Sequence, residues 1–346
     1  MDTKVRAWCG SRSPSLSNLS LADSLFANHH LDQGIAYQRQ NMFQEALFEY
    51  DTALQLLPDD KYAHWNRATS LLSLGEYEEG FKEHEWAWTL FDWRGFGPVR
   101  EEIDRVKMIP MWNGEVVPDG RLLVYHELGF GDGIQTFRYL PELKRRVGHV
   151  TLIINTELVR LAETFGVEVV DQVPADLGEY DYRLPFFGVM RALKQTRDNI
   201  PTAPYISSHE GSSHRGYRVG ICWSGRTQTA FSLDYFLSKL EHSRFELHSL
   251  QLGLVDERVQ RLTAHDFVDT VDVIASMDHI VTIDSAPAHL AGAMGHPSVH
   301  LLLPFLMDWR WWFTQAWYPT IRTYKQVNIG DWDMPFTKLN EALRGN

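Results

Sequence analysis

The chain has 346 residues, 44% of them hydrophobic and 23% charged, the profile of a folded protein of two or three ordinary domains. A formal net charge of −12 excludes a broad phosphate-tracking surface and sets nucleic acid aside as a primary partner. Two distant cysteines, Cys9 and Cys222, match no zinc or redox spacing, and no window reaches the roughly 18 apolar residues of a spanning helix, so a cytoplasmic protein with no transmembrane segment is expected.

The first 20 residues, polar and Ser-rich without an apolar stretch, read as a loose tail and not as a signal peptide. Residues 21–95 carry an internal repeat. Gly34, Phe43, Ala46, Ala53 and Pro58 recur 34 positions later as Ala68, Tyr77, Gly80, Ala87 and Asp92. Small residues at that period, with an aromatic between them, are the TPR helix–turn–helix signature. Two visible repeats are fewer than a free-standing array needs, so the module is expected to pack on the domain that follows it.

From Arg121 short apolar strands alternate with helices: strands at 121–125, 149–155 and 167–173, and helices at 131–146 and near 157–165. That alternation predicts a parallel sheet with helices on both faces. Residues 194–216 are polar and loop-like, a hinge. The alternation then restarts, with strands at 217–223, 245–253, 279–285 and 298–304, and helices near 233–241, 271–277, 287–294 and 335–344. The expected architecture is α/β: two Rossmann-like lobes with a cleft between them (96–205 and 206–346), preceded by a short all-α module.

Four stretches carry candidate chemistry. In YHELGFGDGIQTFRY (125–139), Gly129, Gly131 and Gly133 allow a tight turn and close approach to backbone. The spacing is not GxGxxG, which disfavours a nicotinamide site. Asp132 stands at the helix start on the carboxyl edge of a strand, where it can cap the helix, act as a reacting carboxylate, or do both. Glu127 and His126 on the same strand end are next in line as bases.

In TIDSAPAHLAGAMG (282–295) a strand ends at Asp284 and a helix starts at once, with Pro287 in its first turn. Small residues there leave room for an anion that the helix start would favour, and an ordinary small-residue helix packed on the sheet explains the pattern equally well. In ICWSGR (221–226) a strand runs into a Ser-Gly turn, with Ser224, backbone amides and Arg226 as phosphate donors or Arg226 as a solvated surface residue. In 303–326, Arg310 among Trp309, Trp311 and Trp312 is either a cation–π packed element or the lining of an acceptor or lobe interface. No DxD-type acidic pair follows a strand in the α/β part, which points away from a divalent metal.

Together, the order E-x-G-x-G-D-x-I-Q-x-x-R-Y, W-S-G, D-S-A-x-A-H-L-A-G-A, D-W-R-W and W-Y-P resembles bacterial TPR-containing glycosyltransferases, relatives of the lipopolysaccharide heptosyltransferases and, more distantly, of O-GlcNAc-transferase-like enzymes. The resemblance covers residues 30–330. It implies a GT-B fold and metal-independent inverting transfer from a nucleotide-diphosphate sugar, with no other cofactor, to a glycan, lipid-linked or protein acceptor that the TPR module could engage.

By the same resemblance Asp132 matches the base. Asp284, Ser285, Ala286, Ala288 and His289 match the donor-diphosphate turn, and Trp223, Ser224, Gly225 and Arg226 the other phosphate-facing loop. Gln135, Arg138, Trp309 and Arg310 are candidate acceptor or cleft residues. Leu128 stands where a Gln is expected, and the loop after Trp223 lacks a longer Asn- and Arg-rich stretch. The rival expectations are a catalytically idle TPR/GT-B adaptor that binds a protein partner or nucleotide, and a GT-B sugar-nucleotide epimerase.

Overall fold

The computed structural model describes residues 21–90, 98–208, 217–225, 230–251, 256–261 and 263–344. The chain forms two compact units, one of residues 1–92 with 308–312 and one of 93–307 with 313–346.

The first unit is helical: α1 (Leu21–Gln38), α2 (Phe43–Leu56), α3 (Lys61–Leu74), α4 (Tyr77–His84) and a short α5 (Ala87–Leu90). Asp60 stops the chain between hairpins and starts α3, its carboxylate accepting the N–H groups of Tyr62 at 3.0 Å and Ala63 at 2.9 Å. Gly75 ends α3 in the left-handed region at φ +83°. The small residues of the 34-residue period sit at helix crossings: a Cβ on Gly34 would run into the Tyr50 ring, and one on Gly80 would come 2.8 Å from Leu72. Leu31, Ala46, Tyr50, Ala53 and Ala63 form the buried centre.

The second unit is mixed α/β with two parallel sheets. The first sheet holds β1 (Val117–Tyr125), β2 (Val147–Ile153), β3 (Glu168–Val170) and β4 (Tyr182–Pro185) in the order β3-β2-β1-β4. The second holds β5 (Arg218–Cys222), β6 (Glu246–Ser249), β7 (His279–Ile283), β8 (Val299–Leu303) and β9 (Ile321–Lys325) in the order β6-β5-β7-β8-β9. Strand β7 is buried at every position and so is β8, as expected for parallel strands covered on both faces.

The chain order reverses between β1 and β4 in the first sheet and between β5 and β7 in the second. These are the switch points where open α/β sheets leave a crevice at the carboxyl ends of their strands.

Helix α6 (Ile103–Val106) precedes β1 and α15 (Asp333–Arg344) follows β9; between the strands run α7 (Phe130–Thr136), α8 (Leu140–Arg146), α9 (Thr156–Glu163), α10 (Val189–Ala192), α11 (Leu233–Lys239), α12 (Phe267–Ala275), α13 (Ala286–Ala293) and α14 (Thr314–Trp317). The single helix expected over 131–146 is three pieces, α7, a 3-10 turn at Phe137–Tyr139, and α8. Pro141 in the first turn of α8 has no N–H to give and crowds the preceding carbonyls, so the ladder cannot run through. Strands β4 and β9 are additions to the sequence reading. Among the described residues no helix is long and apolar enough to cross a membrane.

Candidate functional site

The carboxyl end of β1 runs through His126 and Glu127 into the glycine loop and α7. Gly129, not Asp132, is the N-cap. Asp132 stands at the third helical position and its Oδ2 reaches back to accept the Gly129 N–H at 3.0 Å, the carboxylate half of a capping box. Asp132 remains partly exposed.

His126 is buried, with Nδ1 2.8 Å from Asn155 Oδ1 and Nε2 3.1 Å from the Gly129 carbonyl. Burial lowers its pKa, while the Asn155 contact and the nearby Asp132 carboxylate oppose that shift. Glu127 is 4% exposed, and its two oxygens accept the N–H groups of Phe186 and Phe187, each at 3.0 Å. Burial pushes the Glu127 carboxyl up to about 8 against the pull of these two bonds, and the Asp132 charge adds to the rise. The three residues are thus one electrostatic cluster in which Asp132 is the member at the surface.

The second sheet supplies the facing edge. Cys222 pairs with Thr282 across β5 and β7, so the W-S-G turn and the start of α13 leave adjacent strands at the switch point. Ser285 is the N-cap of α13 in extended conformation, and its Oγ lies 2.8 Å from Thr282 Oγ1, leaving the helix start without a side-chain cap. Pro287 lacks an N–H, and the amides of Ala288 and His289 turn onto Ser285 O at 3.0 and 3.4 Å. The Ser285 and Ala286 amides are therefore the first-turn donors available to an anion. Asp284, Ser285 and Ala286 are partly exposed, whereas Ala288 and His289 are buried.

The W-S-G turn differs from the sequence expectation. Its Trp223 and Ser224 amides both point at one acceptor, Gln251 Oε1, at 2.9 and 3.0 Å. Gln251, at the end of β6, was not among the expected residues, and only its place on the carboxyl edge could have signalled it. Gly225 is open, with Ile283 3.8 Å from where its Cβ would lie. Arg226 lies outside the described residues. Cys222 is a buried thiol, its pKa pushed up to about 11 by burial against hydrogen bonds from Ser285 and Thr282.

The two edges meet where α7 packs on α13. A Cβ at Gly131 would lie 2.6 Å from His289 Cδ2, so the glycine admits a side chain of the other lobe. Gly133 makes room for His126 of its own lobe, whose Nε2 would be 3.0 Å from its Cβ. His289 Nδ1 is 2.9 Å from Tyr318 OH. Phe130 stands edge-on to Phe267 at 5.2 Å, and Arg160 Nη1 reaches Asp266 at 2.7 Å and Asp269 at 3.2 Å.

Gln135 and Arg138 lie inward of this edge. Arg138 donates to the carbonyls of Gln135, Trp317 and Pro201 at 2.9, 3.1 and 3.3 Å and to Tyr205 OH at 3.2 Å. The rings of Tyr318, Tyr205 and Trp317 surround it at 4.8 to 5.1 Å. It pins the first lobe to the 201–205 connector and to α14. Trp309 and Arg310 pack in the helical unit. Among the described residues no group of three or more His, Cys, Asp or Glu is arranged to hold a metal ion.

Residues 235–304 match the model of glycosyltransferase family 9 (heptosyltransferase). The stretch includes Asp284–His289 and excludes both Asp132 and Trp223–Gly225. The match lies within the part of the chain that carries the second sheet, and what that part is similar to is a glycosyltransferase family, the heptosyltransferase one. Over 85% of its length the chain is 22% identical to Protein FlbA of Caulobacter vibrioides, and it spans 63% of that protein. Its structure is similar to that of a mutant Thermobaculum terrenum O-GlcNAc transferase, with a TM-score of 0.34, 12% identity and 94% of each chain covered.

Proposed function

We propose that the protein is a metal-independent, inverting GT-B glycosyltransferase that takes a sugar from a nucleotide-diphosphate donor and places it on a hydroxyl group of a glycan, lipid-linked or protein acceptor. The observation that carries this reading is the meeting of Gly131 with His289. It brings the helix of Asp132 against the helix whose start offers the Ser285 and Ala286 amides. In this mechanism Asp132 removes the proton of the acceptor hydroxyl as its oxygen attacks the anomeric carbon. The bond from that carbon to the diphosphate oxygen breaks, and the α13 start stabilises the departing charge through fixed amides and the helix dipole. Arg226 is assigned as a further cation for the diphosphate, and the TPR character of the helical unit belongs to the same proposal.

Calorimetry with UDP, GDP and ADP, with and without EDTA, tests the donor side, and product analysis with the matching nucleotide sugars tests transfer. Binding that survives EDTA, together with a new glycosidic product of inverted configuration, is the expected outcome. Binding abolished by EDTA sinks the metal-free mechanism. A second reading, an idle adaptor, draws on one observation: Gln251 Oε1 already occupies the two amides of the W-S-G turn. Binding without any turnover would favour it.

A further inference from the structure

Arg138 is a cation 4% exposed, and its hydrogen bonds end on oxygens: the carbonyls of Gln135, Trp317 and Pro201 and the hydroxyl of Tyr205. A guanidinium only donates, so a hydroxyl beside it turns its oxygen lone pairs inward and its hydrogen away. Tyr205 does this. Its oxygen accepts from Arg138 Nη2 at 3.2 Å, and its own hydrogen goes to the Ile134 carbonyl at 3.0 Å.

Tyr318 stands in the same relation to the cation, with its ring 4.8 Å from the guanidinium. Burial and the neighbouring Tyr205 hold its phenol well above the ordinary value, against the pull of the Arg138 charge and of the Arg138 hydrogen bond to the hydroxyl. The hydroxyl therefore keeps its hydrogen. Tyr205 is also in reach of that hydroxyl, but its oxygen already takes a hydrogen from Arg138. The Tyr318 hydrogen is left for His289 Nδ1, 2.9 Å away.

A neutral imidazole that accepts at Nδ1 carries its own hydrogen on Nε2. That edge of His289 is turned to the glycine loop: the Cβ missing from Gly131 would lie 2.6 Å from Cδ2 and 3.2 Å from Nε2. Asp132 is the next residue. A lone pair on Nε2 would be a second proton acceptor beside Asp132. An Nε2–H is a donor to an oxygen and takes no proton.

We propose that Arg138 is a positioning residue that, through Tyr318, fixes His289 as the Nε2–H tautomer, a hydrogen-bond donor and not a base at the Gly131 contact. The tautomer stands on the hydrogen-bond network alone. That it leaves proton removal to Asp132 rests on the function proposed above.

The test uses the full chain with isotope-labelled histidine and long-range proton–nitrogen correlation spectra. The His289 signals are assigned by their loss in His289→Gln. In the wild type Nε2 should read as protonated and Nδ1 as unprotonated. Tyr318→Phe removes one hydroxyl and Arg138→Gln removes the charge. Each should raise the ratio of Nδ1–H to Nε2–H about fivefold, the loss of one net hydrogen bond. Arg138→Lys keeps the charge and should keep the ratio. His300, held by Ser298 and Tyr324, should be unmoved in every variant. A wild-type hydrogen on Nδ1, or an unmoved ratio in folded Arg138→Gln, overturns the proposal. Should Arg138→Gln fail to fold, an unmoved ratio in Tyr318→Phe overturns it. With a donor that the wild type accepts, kcat should fall in step with the Nε2–H fraction while KM stays. A constant kcat across that shift overturns the positioning role. A wild type that transfers no sugar removes the reading of Asp132 as the base, and the spectra still decide the tautomer.

Discussion

Glu127, at the carboxyl end of β1, holds the amides of Phe186 and Phe187 beyond β4, one on each carboxylate oxygen at 3.0 Å. It closes the switch point of the first sheet from within. Burial places its carboxyl at about 8, so the folded chain keeps a proton there that the unfolded chain loses near pH 4.5. Stability from this group is complete below about pH 4.5 and is lost as pH rises through 8, on the order of 3 kcal/mol between pH 5 and 8. Glu127→Gln cannot titrate and should flatten that slope. Chemical denaturation of both proteins at pH 5, 6.5 and 8 checks this, and parallel curves would show that the two amide bonds hold the carboxylate charged.

Gly131→Ala should be costly because the nearest atom, His289 Cδ2 at 2.6 Å, belongs to a buried ring fixed by Tyr318 OH. Overpacking of this kind costs about 1–3 kcal/mol. Gly225→Ala is the control, since its Cβ would meet only Ile283 at 3.8 Å. Melting temperatures of the pair decide: equal small losses would mean that α7 and α13 separate freely.

His300 on β8 is fully buried between Ser298 Oγ at 3.0 Å and Tyr324 OH at 2.8 Å. Burial, with the charges of His279, Arg322 and His296 around it, lowers its pKa to about 3. A depressed histidine binds fewer protons folded than unfolded, so its contribution is full above about pH 6.5 and lost as pH falls toward 3. At pH 4 the loss is on the order of 3 kcal/mol. His300→Gln keeps polar partners without that titration and should unfold at lower pH than the wild type in an acid titration followed by circular dichroism. An unchanged acid midpoint would place the acid sensitivity in other groups.

The buried strands were legible in the sequence because β7 and β8 are short, mainly apolar runs interrupted only by His279, Thr282 and His300, and the 34-residue period was legible because Gly34 and Gly80 sit under Tyr50 and Leu72. Strand β4 was not: four residues ending in Pro185 give no period to count. The role of Gln251 was not legible either, because its partners Trp223 and Ser224 are remote in sequence and only the parallel pairing of β5 with β6 brings them together. The tryptophan cluster at 309–312 pointed equally to a packed element and to a cleft. Only the fold shows that it packs against the repeated aromatics Phe43 and Tyr77.

Asp132 offers the sharpest division between structure and chemistry. Its Oδ2 holds the Gly129 amide, while the residue itself stays partly exposed beside buried His126 and Glu127. An asparagine keeps an oxygen for that amide, so Asp132→Asn should melt near the wild type and bind nucleoside diphosphate with unchanged affinity, the α13 amides being untouched. As the base, its carboxylate is needed for proton removal, which contributes typically about 10²–10⁴-fold, and kcat should fall by that factor. Asp132→Ala loses the cap as well and should cost about 0.5–2 kcal/mol of stability on top of the same rate loss. If Asp132 only caps the helix, the asparagine protein turns over within a few-fold of the wild type, and the alanine protein loses activity only in proportion to its unfolding. Rates and melting temperatures of the two variants, measured side by side with any donor that the wild type accepts, separate the two cases.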